Sequence, residues 1–427
     1  MKFCDITMAY NGASGGIRTY IDEKRRFLRE NTEHEHLLII PGKRNRIRRS
    51  GRSTTVTLRG PLLPGQKNYR IFLSSAAIKD VLREEQPDII ELGSYYTEPW
   101  AAFSYRRRQR EAGRSCVIGG YFHTDVAEAY VASPLRSVAQ SWAEDVGEGL
   151  ASAVEKIADI ATAGAEKYMR HVFNGCDVRM AASPSQAARL QSYGVENVNV
   201  VPLGVDLKLF NPRRADAELR AKCGAGGDAL VLIYAGRLCN EKRVLMLIEA
   251  FERLPSELNA RLWLVGDGPL RDEAKAAAGA NNAIRVFPYQ SSRERFAAML
   301  ASADLYVTAG PFETFGLSVI EAQASGLPVV GVDGGALRER VPSGLGLLAP
   351  VDDAAAFADS IVRAAPQRHA MGAAARAHVE RHFSWSAAFS KWLGCYGIEP
   401  ARAEEASMPI PPPATQTPAI EALISAR

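Results

Sequence analysis

The sequence predicts an α/β chain built on parallel sheets in more than one domain, and three observations carry that prediction. Residues 304–332 read as strand, glycine-bearing loop, helix and second strand. An apolar run from Asp304 to Ala309 leads into a turn at Gly310-Pro311, Leu317, Ile320 and Ala324 recur at helical spacing, and Val329 to Val332 is apolar again. Strand-like and helical stretches alternate in the same way from Lys2 onward, which is the pattern of βαβ units and hence of a parallel sheet. At 427 residues the chain exceeds what one ordinary core organises, so two or three domains are expected.

Composition narrows the class. With 47% apolar and 23% charged residues the chain reads as soluble and globular. No apolar run approaches the ~18 residues of a membrane-spanning helix, and the opening MKFCDITMAYNG is a strand pattern rather than a signal peptide. The six cysteines are scattered, with no C-x-x-C pair and no Cys/His cluster. Reduced thiols, a cytoplasmic location and no zinc site are therefore expected. The net charge of +4 hides an asymmetry. Residues 1–115 hold 22 Lys/Arg and 13 Asp/Glu, a balance of +9, so the remainder carries −5. The basic half is expected to meet something anionic.

The elements follow in order. Residues 2–9 form a first strand, residues 11–16 a glycine-rich turn, and residues 17–30 a helix. Such a turn brings backbone N–H groups, among them those of Gly15 and Gly16, close to an anion, although many α/β domains use one for packing alone. A second strand, His36 to Pro41, precedes a run with six basic residues and no acid: Lys43, Arg44, Arg46, Arg48, Arg49 and Arg52. This reads as a solvated basic loop or as a contact for anionic lipid head groups, each side chain contributing ~1 kcal/mol near such a surface. Nucleic acid is disfavoured, because no aromatic residues interleave the charges. Further strands are expected at Thr55–Leu58, Asp88–Leu92 and Cys116–Phe122, with Arg106, Arg107, Arg108 and Arg110 extending the basic face. His123 follows the last of these, at the edge where open α/β sheets bind ligands. Residues 126–175 read as a helical insertion in which Ile157, Ile160, Ala161, Ala165, Tyr168 and Val172 keep helical spacing, while Leu135, Val138 and Trp142 either pack in the core, which is the favoured reading, or dip into a bilayer interface. Val178–Ala182 and Val198–Val201 close the first domain, and VPLGVDLKLFNP is a Pro/Gly-bounded connector.

The second domain opens with the apolar strand Leu230–Ala235. Arg237 and Lys242 stand five residues apart on the turn that follows, a guanidinium fork and a point charge suited to phosphate. Arg261–Val265 ends in Gly266-Asp267-Gly268-Pro269. The Asp304–Val332 unit carries Glu313 before its helix and Glu321 inside it, with Phe315, Gly316 and Leu317 at the helix start. The first N–H groups of a helix have no internal partner, and its dipole favours negative charge there, so this start is a phosphate site. Residues 352–397 read as helical, and 399–427, with PIPPPATQTP, as a disordered tail.

The segment ETFGLSVIEAQASGLPVV, with Glu-x-Phe-Gly-x-x-x-x-Glu at 313–321, resembles the E-x7-E signature of retaining glycosyltransferase family 4 almost residue for residue. The resemblance extends over roughly residues 1–397. GGIRT is similar to the family's N-terminal loop facing the donor phosphates, FHTD to the segment whose histidine approaches the donor sugar, and GRLCNEK and GDGP to elements around the diphosphate and base. Pro288 stands where the family often has glycine. The resemblance implies the GT-B fold: two Rossmann-like, doubly wound parallel-sheet domains facing across a cleft. These would be residues 1–205 on the acceptor side and 206–383 on the nucleotide-sugar side, with 384–398 returning as a helix to the first domain.

It further implies a retaining transfer of a hexose from GDP-mannose or a UDP-hexose to a glycolipid or lipid-linked glycan. In that scheme Glu313, His123, Arg237 and Lys242 are catalytic. The donor is bound by Gly15, Gly16, Arg237, Lys242, Gly266, Glu313, Phe315, Gly316, Leu317 and Glu321. No Asp-x-Asp pair occurs, so no metal and no cofactor are expected. The basic run would hold the protein on the inner face of the cytoplasmic membrane. An NDP-sugar epimerase or a phosphorylase on the same fold, and a non-enzymatic protein bound to anionic membranes, are the alternatives.

Overall fold

Short apolar runs become strands, and the strands order into two separate sheets in a computed structural model that describes residues 1–11, 15–63, 69–123, 125, 127, 148–279 and 281–399. The first sheet holds β1 (Lys2–Ile6), β2 (Glu35–Gly42), β3 (Arg46–Ser50), β4 (Ser53–Arg59), β5 (Ile89–Leu92), β6 (Val117–Phe122), β7 (Val178–Ala181) and β8 (Val198–Val200), in the order β3-β4-β2-β1-β5-β6-β7-β8. Every pair is parallel except β3–β4. The second sheet holds β9 (Leu230–Ala235), β10 (Ala260–Val265), β11 (Ile284–Phe287), β12 (Leu305–Thr308), β13 (Val329–Val332) and β14 (Gly346–Ala349). It is parallel throughout, in the order β11-β10-β9-β12-β13-β14.

In both sheets the chain winds outward in two directions from a central strand. The switch points lie between β1 and β5 and between β9 and β12, and ligands of such sheets bind beyond the carboxyl ends of the strands there. The central strands are apolar because both faces are covered by helices. All six residues of β9 are buried.

The charged groups at the centre of the first sheet are paired. The Lys24 ammonium donates to Asp5 Oδ1 at 2.8 Å and Glu91 Oε1 at 2.7 Å. Glu91 Oε2 also accepts from Trp392 Nε1 at 2.6 Å and the Tyr396 hydroxyl at 3.2 Å. The helix Trp385–Cys395 is thereby fixed to the first sheet, with Trp392 against Phe3 and Phe389 against Phe27. Where the chain recrosses, Val205 N–H donates to Phe383 O at 2.8 Å.

Two readings of the sequence need correction. The basic run is not a loop throughout: Arg46–Ser50 is the outermost strand of the first sheet, in antiparallel register from Arg46 opposite Thr57 to Ser50 opposite Ser53. An edge strand made of charged residues discourages pairing with another chain. In the helix Glu148–Asn174 the inward residues are Ala158, Thr162, Met169, Val172 and Phe173, whereas Ile157 and Ile160 face outward despite their helical spacing. Leu135, Val138 and Trp142, residues 12–14 and the tail from 400 lie outside the described residues.

Candidate functional site

The site grows from the loop between β12 and the helix Leu317–Ala324. Gly316 begins that helix with φ of +83°, a left-handed conformation that L side chains avoid. A Cβ there would also stand 3.3 Å from Val319 Cγ2. This bend turns the Glu313 carboxylate back over the helix start, where Oε1 accepts from Gly316 N–H at 3.2 Å. Its Oε2 accepts from Lys242 Nζ at 2.8 Å. Burial disfavours the Glu313 charge, but Lys242 and the Gly316 and Phe315 N–H groups outweigh it and hold the carboxyl below its ordinary range. Burial likewise opposes the Lys242 charge, and Glu313 and Glu241 raise its pKa above the ordinary value. Both groups are therefore charged at neutral pH.

The Arg237–Lys242 turn follows β9, one strand over from β12. Its backbone is locked to the next turn: Gly266 packs so closely that a Cβ on it would lie 1.9 Å from Gly236 O. The Arg237 side chain is exposed, with no hydrogen bond or ion pair among the described residues. It is an unpaired cation among the described residues, whereas Lys242 is already engaged.

Glu321 lies on the inward side of its helix, 4% exposed. Its Oε1 accepts from Arg293 Nη2 at 2.7 Å, and the Arg293 guanidinium lies 4.8 Å from the centre of the Phe210 ring. Burial pushes the Glu321 carboxyl up, and Arg293 works against the shift. A cavity of about 400 Å³ opens at this pair. Arg293, Leu317 and Glu321 line it from the second domain, Glu23 and Arg26 from the first. Glu313, Lys242 and Arg237 do not line it.

The opposite wall belongs to the first domain. Gly15 and Gly16 start the helix Gly16–Asn31, exposed, and a Cβ on Gly16 would come 3.6 Å from Leu317 Cδ1. Two helix N-termini, one from each domain, therefore face each other across the cleft, and both favour anions. His123 follows β6, stacked on Tyr121 at 4.2 Å and edge-on to Tyr20 at 5.1 Å. Burial, with the Lys24 charge adding to it, pushes its pKa down to about 3, so the imidazole is neutral.

The basic cluster divides. Arg49 pairs with Glu85 at 2.8 Å, and Arg52 pairs with Glu33 and donates to the carbonyls of Arg29 at 2.8 Å and Thr32 at 2.7 Å. Lys43, Arg44, Arg46 and Arg48 are exposed and without an ion pair among the described residues. Among those residues no group of three His, Cys, Asp or Glu side chains could hold a metal.

Three contributors escape sequence reasoning. Arg293 holds Glu321 from 28 positions away. Arg340 is buried beneath Phe315, donating to its carbonyl at 2.9 Å with the guanidinium 4.2 Å from the ring centre. Glu339 reaches across the cleft to accept from Ser185 N–H at 2.7 Å. Each contact joins residues distant in sequence, so no local spacing announces it.

A sequence model of the family described as Glycosyltransferase Family 4 matches residues 14–209, and one described as Glycosyl transferases group 1 matches residues 229–366. A GDP-mannose-dependent alpha-(1-6)-phosphatidylinositol dimannoside mannosyltransferase of Mycobacterium tuberculosis is 30% identical over 406 residues, 93% of this chain and 96% of that protein. A GDP-mannose-dependent alpha-mannosyltransferase of Corynebacterium glutamicum is 29% identical over 378 residues, 85% of this chain and 81% of that one. Among solved structures, sucrose-phosphate synthase from Thermosynechococcus elongatus is similar with a TM-score of 0.71 at 20% identity, over 93% of this chain and 98% of that one.

Proposed function

The chain belongs to glycosyltransferase family 4, has the GT-B fold and is a hexosyltransferase, and from that premise we propose that it transfers mannose from GDP-mannose to a hydroxyl of a lipid-linked glycan, with retention of anomeric configuration and without a metal ion. The donor is drawn from the names of the mannosyltransferases it resembles, and a phosphatidylinositol-based glycolipid is the acceptor class those names support. The observation that carries the reading is the unpaired Arg237 guanidinium beside the Lys242–Glu313 pair, on the turn next to a helix start.

In this reading the diphosphate lies alongside the two helix starts, which meet where Leu317 approaches Gly16, and takes N–H groups from both. Arg237 binds it, and Lys242 bridges it to Glu313. Three cations (Arg237, Lys242, Arg293) stand with three carboxylates (Glu241, Glu313, Glu321), and of these cations Arg237 alone has no carboxylate partner among the described residues before the donor arrives. As the sugar–phosphate bond breaks, charge builds on the departing GDP. Cations and N–H groups already aimed there stabilise that state more than the ground state. Glu321 accepts hydrogen bonds from the ribose, Glu313 holds sugar hydroxyls, and Gly266 keeps the base-side turn in place. The neutral His123 offers a hydrogen bond near the developing oxocarbenium ion without adding a positive charge against it. The exposed Lys43, Arg44, Arg46 and Arg48 contribute attraction to an anionic membrane surface, on which the enzyme works peripherally at the cytoplasmic face.

The test is calorimetric titration with GDP, UDP, GDP-mannose and UDP-glucose in the absence of metal, repeated with Glu321→Ala. Binding of the guanosine series alone, lost in the variant, is expected. Binding of the uridine series would move the donor to a UDP-hexose, and no binding by folded protein would sink the donor-site assignment.

A further inference from the structure

We propose that the outward face of the helix Glu148–Asn174, together with Trp100, docks on an anionic phospholipid bilayer and inserts Ile157 and Ile160 into it. The proposal rests on the reading of a lipid-linked acceptor, but it assigns the insertion to a surface different from the basic edge strand.

Ile157, Ile160, Gly164, Tyr168 and His171 follow one another at steps of three and four, so they form a stripe along one side of the helix. Ile157 is 58% exposed and Ile160 75%, a cost for two large aliphatic side chains in water that nothing else in the described molecule covers. Trp100, itself 45% exposed, continues the stripe. It stacks on His171 at 5.5 Å and lies 6.4 Å from Tyr168. An aromatic ring with one wet edge beside exposed aliphatic groups is the composition of a membrane interface.

The charges complement an anionic surface. Lys156 and Lys167 flank the stripe on its outward side, and Arg170, four residues after Glu166, lies farther round against Gly194; all three are exposed and without an ion pair among the described residues. Lys167, Arg170 and His171, with Phe103 and Arg106, line a cavity of about 600 Å³, room for a phosphodiester head group. Glu155, Asp159 and Glu166 fall on the flank away from Trp100, where Glu166 meets Arg189 at 3.6 Å.

The position is also suited to an acceptor that enters from lipid. The Tyr168 hydroxyl donates to the carbonyls of Tyr95 at 2.6 Å and Tyr96 at 3.1 Å, just past the carboxyl end of β5. Tyr168 therefore marks the level of the cleft-side edge of the first sheet. The eleven positions from Tyr168 back to Ile157 rise about 16 Å, which carries both isoleucines beyond that edge, beside the cleft.

The experiment measures co-sedimentation of the full chain with phosphatidylcholine–phosphatidylglycerol vesicles and with phosphatidylcholine vesicles alone. It compares wild type, Ile157→Asp/Ile160→Asp, Lys167→Glu/Arg170→Glu and the edge-strand variant Arg46→Glu/Arg48→Glu. The isoleucine variant is expected to lose vesicle affinity about tenfold or more, with GDP titration unchanged as the check that it folds. The Lys167/Arg170 variant is expected to lose affinity for the anionic vesicles and to flatten the salt dependence. Isoleucine-variant binding equal to wild type, or loss confined to the edge-strand variant, overturns the proposal. So does wild type that ignores vesicles, or that instead forms dimers through this face. Transfer to a detergent-dispersed glycolipid is assayed in parallel. Transfer without vesicle binding rejects the docking face alone, and absence of transfer rejects the lipid-acceptor reading instead.

Discussion

Arg237 and Lys242 lie on one turn and carry the same charge, yet the fold gives them different states. Lys242 is held by Glu313 at 2.8 Å, and Arg237 has no partner among the described residues. The unpaired cation has the larger share to gain from a diphosphate, because no existing ion pair must be broken first. Arg237→Ala is therefore expected to lower kcat by ~10²–10³-fold, as loss of one preorganised stabilising group does. Steady-state transfer kinetics check this, and turnover within a few-fold of wild type would refute the leaving-group role. Glu321 presents the reverse case. Burial raises its pKa and Arg293 offsets part of the rise, so Arg293→Ala leaves a buried carboxylate without its cation. Donor affinity in that variant is expected to fall more steeply than in wild type as the pH is lowered, because without Arg293 the carboxyl takes up its proton at higher pH and then accepts less well from the ribose. A titration of GDP affinity against pH with the same slope in both proteins would show that Arg293 does not tune Glu321.

At the scale of elements, the strand–loop–helix of the site depends on one backbone conformation. Gly316→Ala places a Cβ at φ of +83° and 3.3 Å from Val319, a strain of about 1–2 kcal/mol. Urea unfolding should show a loss of that size, and an unchanged midpoint would mean the loop relaxes freely. The first sheet carries a different constraint. Arg25 Nε donates to His36 Nδ1 at 2.9 Å, so His36 carries its proton on Nε2 and donates it to Asp5 Oδ2 at 2.6 Å. Burial pushes the His36 pKa down from 6.5 to about 4, against the pull of Asp5. A depressed pKa in a histidine means that the folded state binds the proton less readily than the unfolded chain. Its stabilisation is complete above pH 6.5 and is lost as the pH falls toward 4, an effect of about 3 kcal/mol. Glu23, raised to about 7 mainly by burial, acts in the opposite sense over 4.5 to 7. A residue-resolved histidine titration by NMR separates them: His36 is expected to titrate near 4, and a midpoint between 6 and 7 would contradict the buried neutral state.

Across the whole molecule, what the sequence made legible follows from how locally each feature is encoded. β9 stands out because a strand covered on both faces is apolar at every position, and the helix start at 316–317 because a glycine and two acids mark it within nine residues. β3 does not stand out, since a charged edge strand has the composition of a loop. The orientation of Ile157 and Ile160 is equally hidden, because helical spacing fixes a stripe but not which side of it meets the core. Contacts between the domains are the least legible, and one of them has a measurable consequence. Glu339, from the second domain, accepts from the Ser185 N–H at the start of the first-domain helix Pro184–Ser192. A carboxylate at a helix N-terminus is stabilised by ~0.3–1 kcal/mol, and here that energy holds the two domains together at the cleft. Glu339→Ala removes it, together with the 3.9 Å contact of Glu339 with Arg340, the guanidinium beneath Phe315. The ligand-free variant is expected to shift toward an open arrangement, with a larger radius of gyration by small-angle X-ray scattering. Its GDP affinity should fall about two- to fivefold, because closure must then be driven by the ligand alone. Glu339→Gln keeps an acceptor but not the charge, and should fall between the two. If scattering and affinity both match wild type in the alanine variant, the Glu339–Ser185 contact does not hold the cleft closed, and the closing force must come from the Arg26–Asp206 pair, 3.1 Å apart, or from the ligand itself.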